Sequence, residues 1–335
     1  MAANHPDYPG WAALLRWSLA QQDGTKPSDP KAMSAEDRAF LEKVMKELTV
    51  DEAQRVGELL KRTEAWLEGD EADAEDALFE LEEIVERLDL ARDLCKLGGI
   101  AVVLRAVKKG STAACAVIAT AAQNDQPAQD AIAKEGALEV LVRAFDDGED
   151  PELRRSALSA ISSLIRGSAA LEQQFVASTG SYLLATALGP SSPARLAAKA
   201  AFLLYALLDD ENDSARVPQL EPALRAALQR STEPPMESEN NNTAVWQLRE
   251  SATNAILQAN KANKEWLRSH LHEPMKAAKK HTLSMMTATS SSADHDDDDD
   301  DDSSSSLLAD LVAKWQEIDW LDNDGDAMTQ QPAQQ

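Results

Sequence analysis

The sequence contains little that would support a β-rich fold. Aromatic residues make up only 4% of its 335 residues, with 3 Tyr and 5 Phe, and Gly occurs 13 times. The seven tryptophans all lie outside residues 67–245, a stretch that is rich in Ala and Leu. Because Ala and Leu favour helices while aromatic and β-branched residues favour strands, this composition predicts packed helices rather than a β-sandwich or barrel.

Cysteine and long apolar runs are equally scarce. Cys95 and Cys115 are the only cysteines, which excludes a disulfide scaffold and a Cys-based structural zinc site. No run of about 18 apolar residues occurs, and the N-terminus lacks the basic start and apolar core of a signal peptide. We therefore expect no membrane partner and a cytoplasmic protein, with a nuclear pool as a further option.

Basic residues are outnumbered. The chain has 33 Lys and Arg against 58 Asp and Glu, a formal charge of −25. Residues 290–335 carry 14 acids and one base (Lys314), so −13 of this charge lies there and −12 in the remainder. Because a phosphate backbone would be repelled, we expect no nucleic-acid partner.

Catalytic and metal-binding motifs are missing as well. Neither a glycine-rich phosphate loop nor an H-E-x-x-H or G-x-S-x-G motif occurs. His270 and His272, two residues apart on a predicted helix, would point to different sides. Residues 322–326 resemble a calcium loop, but the alignment places Trp320 and Gln331 where carboxylates are required. We predict that the chain is not an enzyme and needs no cofactor or metal.

The sequence does contain a repeat. A shift of 43 residues aligns Leu153 with Leu196 and Ala157 with Ala200, in long helices predicted over 152–166 and 194–208. Each follows a shorter predicted helix that contains a glycine, Gly136 in one case and Gly180 in the other, and Gly98 lies in the corresponding short helix of the preceding unit. A period of about 40–47 residues with two or three helices per unit is typical of armadillo and HEAT repeats. The predicted fold is all-α: an armadillo-like right-handed α-solenoid with a helical N-terminal cap and a disordered acidic C-terminal tail.

Five segments follow from this pattern. Residues 1–33 form a flexible N-terminal segment with a short amphipathic helix, and residues 34–88 form a helical cap that begins at the capping signal Ser34. About four armadillo-like units occupy 89–283. A disordered Ser/Asp-rich linker spans 284–306, and a short acidic amphipathic helix and tail span 307–335. In that last segment, Trp315 and Trp320 predict a short interaction motif.

One face of the long helices is a candidate binding surface. Arg155, Ser159, Ser162 and Arg166 are spaced 4, 3 and 4, so they share the side opposite the apolar stripe. In armadillo stacks the last helix of each unit lines the partner groove. The predicted partner-binding residues, in a groove that is not conspicuously acidic, are Gln123, Asn124, Arg155, Ser159, Ser162, Arg166, Lys199, Phe202 and Tyr205. Alternatively, Phe202 and Tyr205 pack against the next repeat.

Several segments also resemble a known family. Residues 14–20 (LLRWSLA) are similar to its N-terminal element LLKWSLA, residues 88–99 (LDLARDLCKLGG) to LDNAxDLxKLGG, 120–124 (TAAQN) to GTAVQNN, and 157–166 (ALSAISSLIR) to ALYALSSLIR. On these residues the chain resembles armadillo-type nucleotide exchange factors for the 70-kDa heat-shock chaperone, the Fes/Hsp70-binding-protein family, in a plant- or algal-like form. It departs from them in lacking a D-x-x-[VI]-R turn in the first repeat and in its Asp/Ser tail.

The resemblance implies a function. The repeats would embrace the nucleotide-binding domain of a cytosolic 70-kDa chaperone so that ADP leaves, and the protein would act as a monomer. Residues Trp11, Leu14, Leu15 and Trp17 would help to free the client. Two alternatives stay open: an armadillo scaffold or adaptor for another protein or peptide, and an acidic histone-type chaperone that uses the seven consecutive Asp at 296–302.

Overall fold

The computed structural model describes Leu15 and residues 34–48, 52–69, 74–209, 213–232, 242–292 and 302–321. Every regular element in these ranges is a helix, which confirms the predicted all-α fold. The chain divides into two compact units, residues 1–59 and 60–335, and the division falls within one helix.

The first unit contains α1 (Ala35–Leu48) and the first half of α2 (Glu52–Leu67). Ser34 caps α1 as predicted, because its hydroxyl accepts the backbone N–H of Asp37 at 3.0 Å and donates to the Asp37 carboxylate at 2.7 Å. Val44, Val56 and Leu59 are buried, at the apolar positions of the two helices.

The second unit begins with the second half of α2 and continues with α3 (Ala74–Val85), four three-helix repeats and a C-terminal pair of helices. The repeats are α4 (Leu88–Lys96), α5 (Gly99–Lys108) and α6 (Thr112–Ala121); α7 (Gln126–Lys134), α8 (Ala137–Asp147) and α9 (Pro151–Ile165); α10 (Ala169–Phe175), α11 (Ser181–Ala187) and α12 (Ala194–Leu207); and α13 (Arg216–Gln219), α14 (Glu221–Thr232) and α15 (Asn242–His270). Each third helix packs against the next third helix, and the second helices pack in the same way between α5 and α8 and between α11 and α14, which is the armadillo-like arrangement.

Glycine separates the first two helices of a repeat. The sequence predicts one short helix containing Gly98 and another containing Gly136, but both residues have left-handed backbone conformations, with φ of 72° and 77°, and lie between helices. L-residues rarely adopt this conformation, so glycine ends the helix there. In the third repeat Gly180 instead closes a π-turn, Val176–Gly180, that joins α10 to α11.

The C-terminal helices are more ordered than predicted. α16 (His272–Ser292) and α17 (Asp302–Gln316) extend into the stretch predicted to be disordered, and residues 293–301 and 322–335 lie outside the described residues. Ala, Met and Thr continue α16 beyond Leu283, and Asp and Ser suit the first turn of α17.

α17 packs against α15 and α16 and is followed by the short turn Asp319–Leu321. Trp315 and Trp320 are only 2% and 5% exposed, and the Trp320 ring nitrogen donates to the side-chain oxygen of Asn260 at 2.8 Å. Lys264 pairs with Asp319 at 3.0 Å. The prediction of an interaction motif at this Trp pair is therefore wrong, since both rings are buried in the fold.

Candidate partner-binding groove

Five long helices of the second unit, α3, α6, α9, α12 and α15, lie side by side, and each packs against the next. They are α3 and the last helix of each repeat. Their apolar positions face the repeats, so their remaining positions form a single surface across the five helices. We call this surface the groove.

α9 lies at the middle of the groove and is fixed at both ends. At its start, the Asp150 carboxylate accepts the backbone N–H of Glu152 at 3.0 Å. At its end, the side-chain amide of the buried Gln129 donates to the carbonyl oxygens of Ser163 (2.9 Å) and Arg166 (3.0 Å). These contacts hold the backbone from which Arg166 extends.

Two adjoining clefts form the central part of the groove. The first, of about 480 Å³, lies between α6, α9 and α12 and has a wall from α3. The second, of about 630 Å³, lies between α9, α12 and α15. Arg155, Lys199 and Phe202 line both. The first cleft also includes Glu82, Ala116, Ala119, Thr120, Gln123, Ser156, Ser159, Ser162, Ser163 and Arg166. The structure thus brings seven of the nine predicted partner-binding residues into one cleft.

Positive charge dominates the α9–α12 side. The Lys199 ammonium donates to the Ser159 hydroxyl at 2.6 Å. Partial burial lowers the pKa of Lys199, and the nearby Arg155 and Arg166 lower it further. Arg155 itself pairs with Glu152 at 2.7 Å. The three cations are therefore close enough to influence one another.

The two predicted aromatic residues differ in exposure. Phe202 is 42% exposed, and the Arg166 guanidinium lies 5.2 Å from its ring centroid. Tyr205 is half-buried and lines neither cleft. The groove therefore offers one aromatic anchor, Phe202, at its centre, and the packing of Tyr205 against the next repeat stays a prediction.

Gln123 and Asn124, the two predicted partner-binding residues at the end of α6, differ in the same way. Gln123 is exposed and lines the first cleft, whereas Asn124 lines neither cleft. Asn124 has a left-handed backbone conformation, with φ of 57°. Asn tolerates this conformation better than most residues, so the backbone of the turn into α7 accounts for the presence of an Asn at this position.

The α3 wall is acidic, which differs from the expected groove. Glu82 lines the first cleft, where its carboxylate accepts the Thr120 hydroxyl at 3.3 Å. Glu75, Phe79, Glu82 and Glu86 follow the same 4, 3, 4 spacing as the α9 face, and Phe79 is 53% exposed. Glu82 thus gives the groove an acidic edge on α3, which this spacing could have predicted.

Sequence reasoning also missed the α15 side of the groove. Thr243, Gln247 and Ser251 line the second cleft with Arg195. Gln247, Ser251, Asn254 and Gln258 repeat the 4, 3, 4 spacing, and Gln258 donates to Asp209 at 3.3 Å. The signal was present, but additional residues before α15 shift it out of the 43-residue period.

The predicted client-release residues cannot be placed in the same way. Trp11, Leu14 and Trp17 lie outside the described residues, and Leu15 is exposed in a helical conformation. This part of the prediction stays a prediction.

The cysteines are placed among the repeat helices. Burial raises the pKa of the Cys115 thiol to about 12, and it also raises the pKa of the half-buried Cys95. Within the described ranges, no group of three or more His, Cys, Asp or Glu side chains could hold a metal ion. No helix among the described residues has the length and apolarity needed to cross a membrane.

Stacked three-helix repeats with an exposed groove along their third helices define the class of armadillo-like proteins. Two designed armadillo repeat proteins share this fold, each with a TM-score of 0.57, at 17% and 16% identity. Each alignment covers 78% of this chain and 98% of the designed protein. One of the two was solved with the peptide (KR)4.

The family is shown by sequence. The model of the SIL1/FES1/HPBP1 C-terminal domain matches residues 90–319, and that of nucleotide exchange factor Fes1 matches residues 12–94. This chain therefore belongs to the SIL1/FES1/HPBP1 family, which confirms the resemblance, and the match includes α17.

Curated relatives agree. Hsp70-binding protein 1 of rat is 29% identical over 212 residues, and that of human is 28% identical over the same length. Each alignment covers 58% of this chain, and the chain spans 59% of the length of these relatives.

Proposed function

We propose that this protein is a nucleotide exchange factor for the 70-kDa heat-shock chaperone (Hsp70), acting as a co-chaperone rather than as an enzyme. The observation that carries the proposal is the family match over residues 12–94 and 90–319, the second of which contains every helix of the groove except α3. The relatives' name, Hsp70-binding protein 1, supports Hsp70 as the partner.

The groove would act by differential affinity. If it binds the nucleotide-binding domain of Hsp70 more tightly in an open, nucleotide-poor state, it shifts the population towards that state. ADP then leaves and ATP can enter. Each tenfold preference for the open state corresponds to about 1.4 kcal/mol, so a few good contacts suffice. Under this mechanism no residue of this chain touches ADP.

The proposal also includes the release of the client, the oligomeric state and the location of the protein. Trp11, Leu14, Leu15 and Trp17 would help to free the client from Hsp70. The protein would act as a monomer on a cytosolic Hsp70, in the cytoplasm and also in the nucleus if it enters there.

Stopped-flow release of fluorescent ADP from Hsp70 tests the proposal. We expect saturating protein to accelerate release by at least tenfold, the scale of a typical allosteric coupling. Absence of acceleration by the full chain at saturation would reject exchange activity.

A matched pair of variants tests the groove. Phe202→Ala removes the aromatic anchor and should weaken Hsp70 binding by about tenfold or more. Tyr182→Ala removes an aromatic ring that is 72% exposed but lines a different cleft, with Val176 and Pro218, and should leave binding unchanged. Equal behaviour of the two variants would remove the groove from the proposal. Helicity measured by circular dichroism serves as the folding control.

The two alternatives predict other results. An armadillo adaptor would bind its partner through the groove without accelerating ADP release. An acidic histone-type chaperone would depend on residues 296–302, of which only Asp302 is among the described residues. Neither has a structural observation in its favour over the exchange factor.

A further inference from the structure

Three cations meet in the first cleft without a matching set of carboxylates. Arg155, Arg166 and Lys199 all line it. Lys199 and Arg166 form no ion pair within the part of the chain that the structure describes; the Lys199 ammonium contacts the Ser159 hydroxyl instead. The cluster occurs in a chain whose acids outnumber its bases by 58 to 33.

The cluster of three cations is electrostatically unfavourable in the unbound protein. Lys199 is half-buried, and burial together with Arg155 and Arg166 lowers its pKa, so its charged form is disfavoured there. The Arg166 Nε is also buried and has no hydrogen-bond acceptor among the described residues. An anion in the cleft would relieve the repulsion between the cations and could accept hydrogen bonds from them.

The carboxylates around the cleft lie at its edges. Glu152 stays with Arg155, 2.7 Å away. Glu82, on the α3 wall, is held by the Thr120 hydroxyl. The cleft is thus positive on its α9–α12 side and negative on its α3 side.

We propose that the α9–α12 side of this cleft is a receptor for acidic side chains on the surface of the protein partner, with Lys199 and Arg166 as the primary contacts and Phe202 receiving an adjacent apolar side chain. The inference rests on the proposed function, because it names the chemistry of the Hsp70 surface that the groove binds. The acidic α3 wall would then repel the same patch and fix the direction in which the partner lies across the groove.

The shape of the groove favours a protein surface over a small anion. The first cleft continues past Phe202 into the second, where α15 adds neutral polar groups such as Gln247 and Ser251 and α12 adds a further cation, Arg195. Phe202 stands between the two clefts with nearly half its surface exposed. A folded partner could fill both clefts, whereas a free phosphate would contact only the cations.

Charge-removing variants provide the test. Lys199→Met keeps the length and apolar stem of the side chain but removes its charge, and Arg166→Gln removes the second cation. With ADP-loaded Hsp70 and the full chain, each should weaken binding by about tenfold to a hundredfold at physiological salt, and the double variant by more. Lys108→Met, which removes an exposed charge from α5 outside both clefts, is the matched control and should bind like the unmodified protein.

Salt dependence and rescue separate charge recognition from loss of packing. The affinity of the unmodified protein should fall as salt rises, and Lys199→Met should show a weaker dependence. Lys199→Glu should bind worst of all, and an Hsp70 variant with an Asp or Glu of the contact surface changed to Lys should restore its binding. Failure of every such Hsp70 variant to restore binding would overturn the direct charge contact.

The outcomes distinguish this inference from the proposed function. If the unmodified protein accelerates ADP release and both groove variants do so equally well, with the same salt dependence, the acidic receptor is wrong and the exchange factor stands. If the unmodified protein neither binds Hsp70 nor accelerates release, the proposed function fails.

The cleft is then tested alone, by acetylating Lys199 with limiting acetic anhydride in the presence of an N-acetylated Glu-Glu-Leu-Glu-Glu peptide or inorganic phosphate, with acetylation of the exposed Lys108 as the internal reference for consumed reagent. Protection by the peptide alone supports the receptor. Equal protection by phosphate, or none by either, overturns it.

Discussion

At the residue scale, the best-defined charged contact lies at the turn between α6 and α7. Asp125 is only 3% exposed, and the Arg92 guanidinium donates to its two carboxylate oxygens at 2.7 and 2.9 Å. The hydrogen bond from Arg92 lowers the pKa of Asp125 below its ordinary value of 3.8. The bidentate geometry joins α4 to the start of α7, and so connects two consecutive repeats.

The sign of this pKa shift gives a prediction. Because the folded pKa is lowered, the contribution of Asp125 to stability is present above its unfolded pKa and is lost as pH falls through the folded pKa. Asp125→Asn should therefore destabilise the protein at neutral pH, and the difference from the unmodified protein should shrink below about pH 4. Urea unfolding between about pH 7 and pH 3 measures this difference.

The exposed Asp93–Lys96 pair is the control. Asp93→Asn should cost little at any pH, because exposed ion pairs contribute little to stability. At pH 3, about one pH unit below the ordinary pKa of Asp, the stability difference between Asp125→Asn and the unmodified protein should have decreased. A difference that stays constant down to this pH would contradict the lowered pKa of Asp125.

Two glycines give opposite predictions for the same substitution. A Cβ on Gly180 would lie 2.6 Å from the carbonyl oxygen and ring carbons of the buried Phe175, so Gly180→Ala should destabilise by about 1–3 kcal/mol. Gly57 lies inside α2 with nothing within 4 Å of such a Cβ, so Gly57→Ala should stabilise by roughly 0.5–1 kcal/mol. Chemical unfolding of both variants checks the signs. Stabilisation by Gly180→Ala would show that the segment Val176–Gly180 adapts to a Cβ, and destabilisation by Gly57→Ala would contradict the open space at Gly57.

At the element scale, α17 belongs to the folded body. Leu311, Trp315 and Ile318 are buried against α15 and α16, and Lys314 pairs with Glu250 at 3.2 Å. A stack of repeats exposes the apolar side of its last unit unless something covers it. α17 provides that cover, so removing it should expose the end of the stack that carries α15 and one wall of the groove.

Trp315→Ala tests this role. Removing a ring that is 2% exposed should cost about 3–5 kcal/mol in the free energy of unfolding. Leu307→Ala on the same helix is the matched control, since Leu307 is 39% exposed and should change stability by less than about 0.5 kcal/mol. Equal, small effects would mean that α17 does not contribute to the core.

The elements show how much could be predicted from the sequence. The helices predicted over 152–166 and 194–208 are α9 (Pro151–Ile165) and α12 (Ala194–Leu207), because a regular period and turn residues specify them locally. The central cleft follows from the same period. The packing of α17 could not be predicted in this way, because the apolar faces that it covers belong to helices far along the chain and no repeat links them to it.

At the scale of the whole molecule, the net charge of −25 describes the groove poorly. Charge is segregated: Glu82 lies at the α3 edge, the three cations lie at the centre, and residues 296–302 add seven acids near the C-terminus. Screening limits interactions between exposed charges to about 8 Å at physiological salt. The local arrangement, rather than the total, should therefore decide what the groove binds.

Because the groove and the Asp tract (residues 296–302) are separate groups of charges, the tract can be tested by itself. Deleting residues 290–335 would not test the tract alone, because it also removes α17 and its buried tryptophans. Changing the six Asp at 296–301 to Asn removes six of the tract's seven negative charges and keeps the length of the chain. We expect Hsp70 binding and ADP release to stay within about twofold at physiological salt, because the groove keeps all its contacts.

Changing the same residues to Glu is the control that preserves charge. Loss of activity in the Asn variant but not in the Glu variant would show that the tract acts directly, as a histone-type acidic chaperone requires.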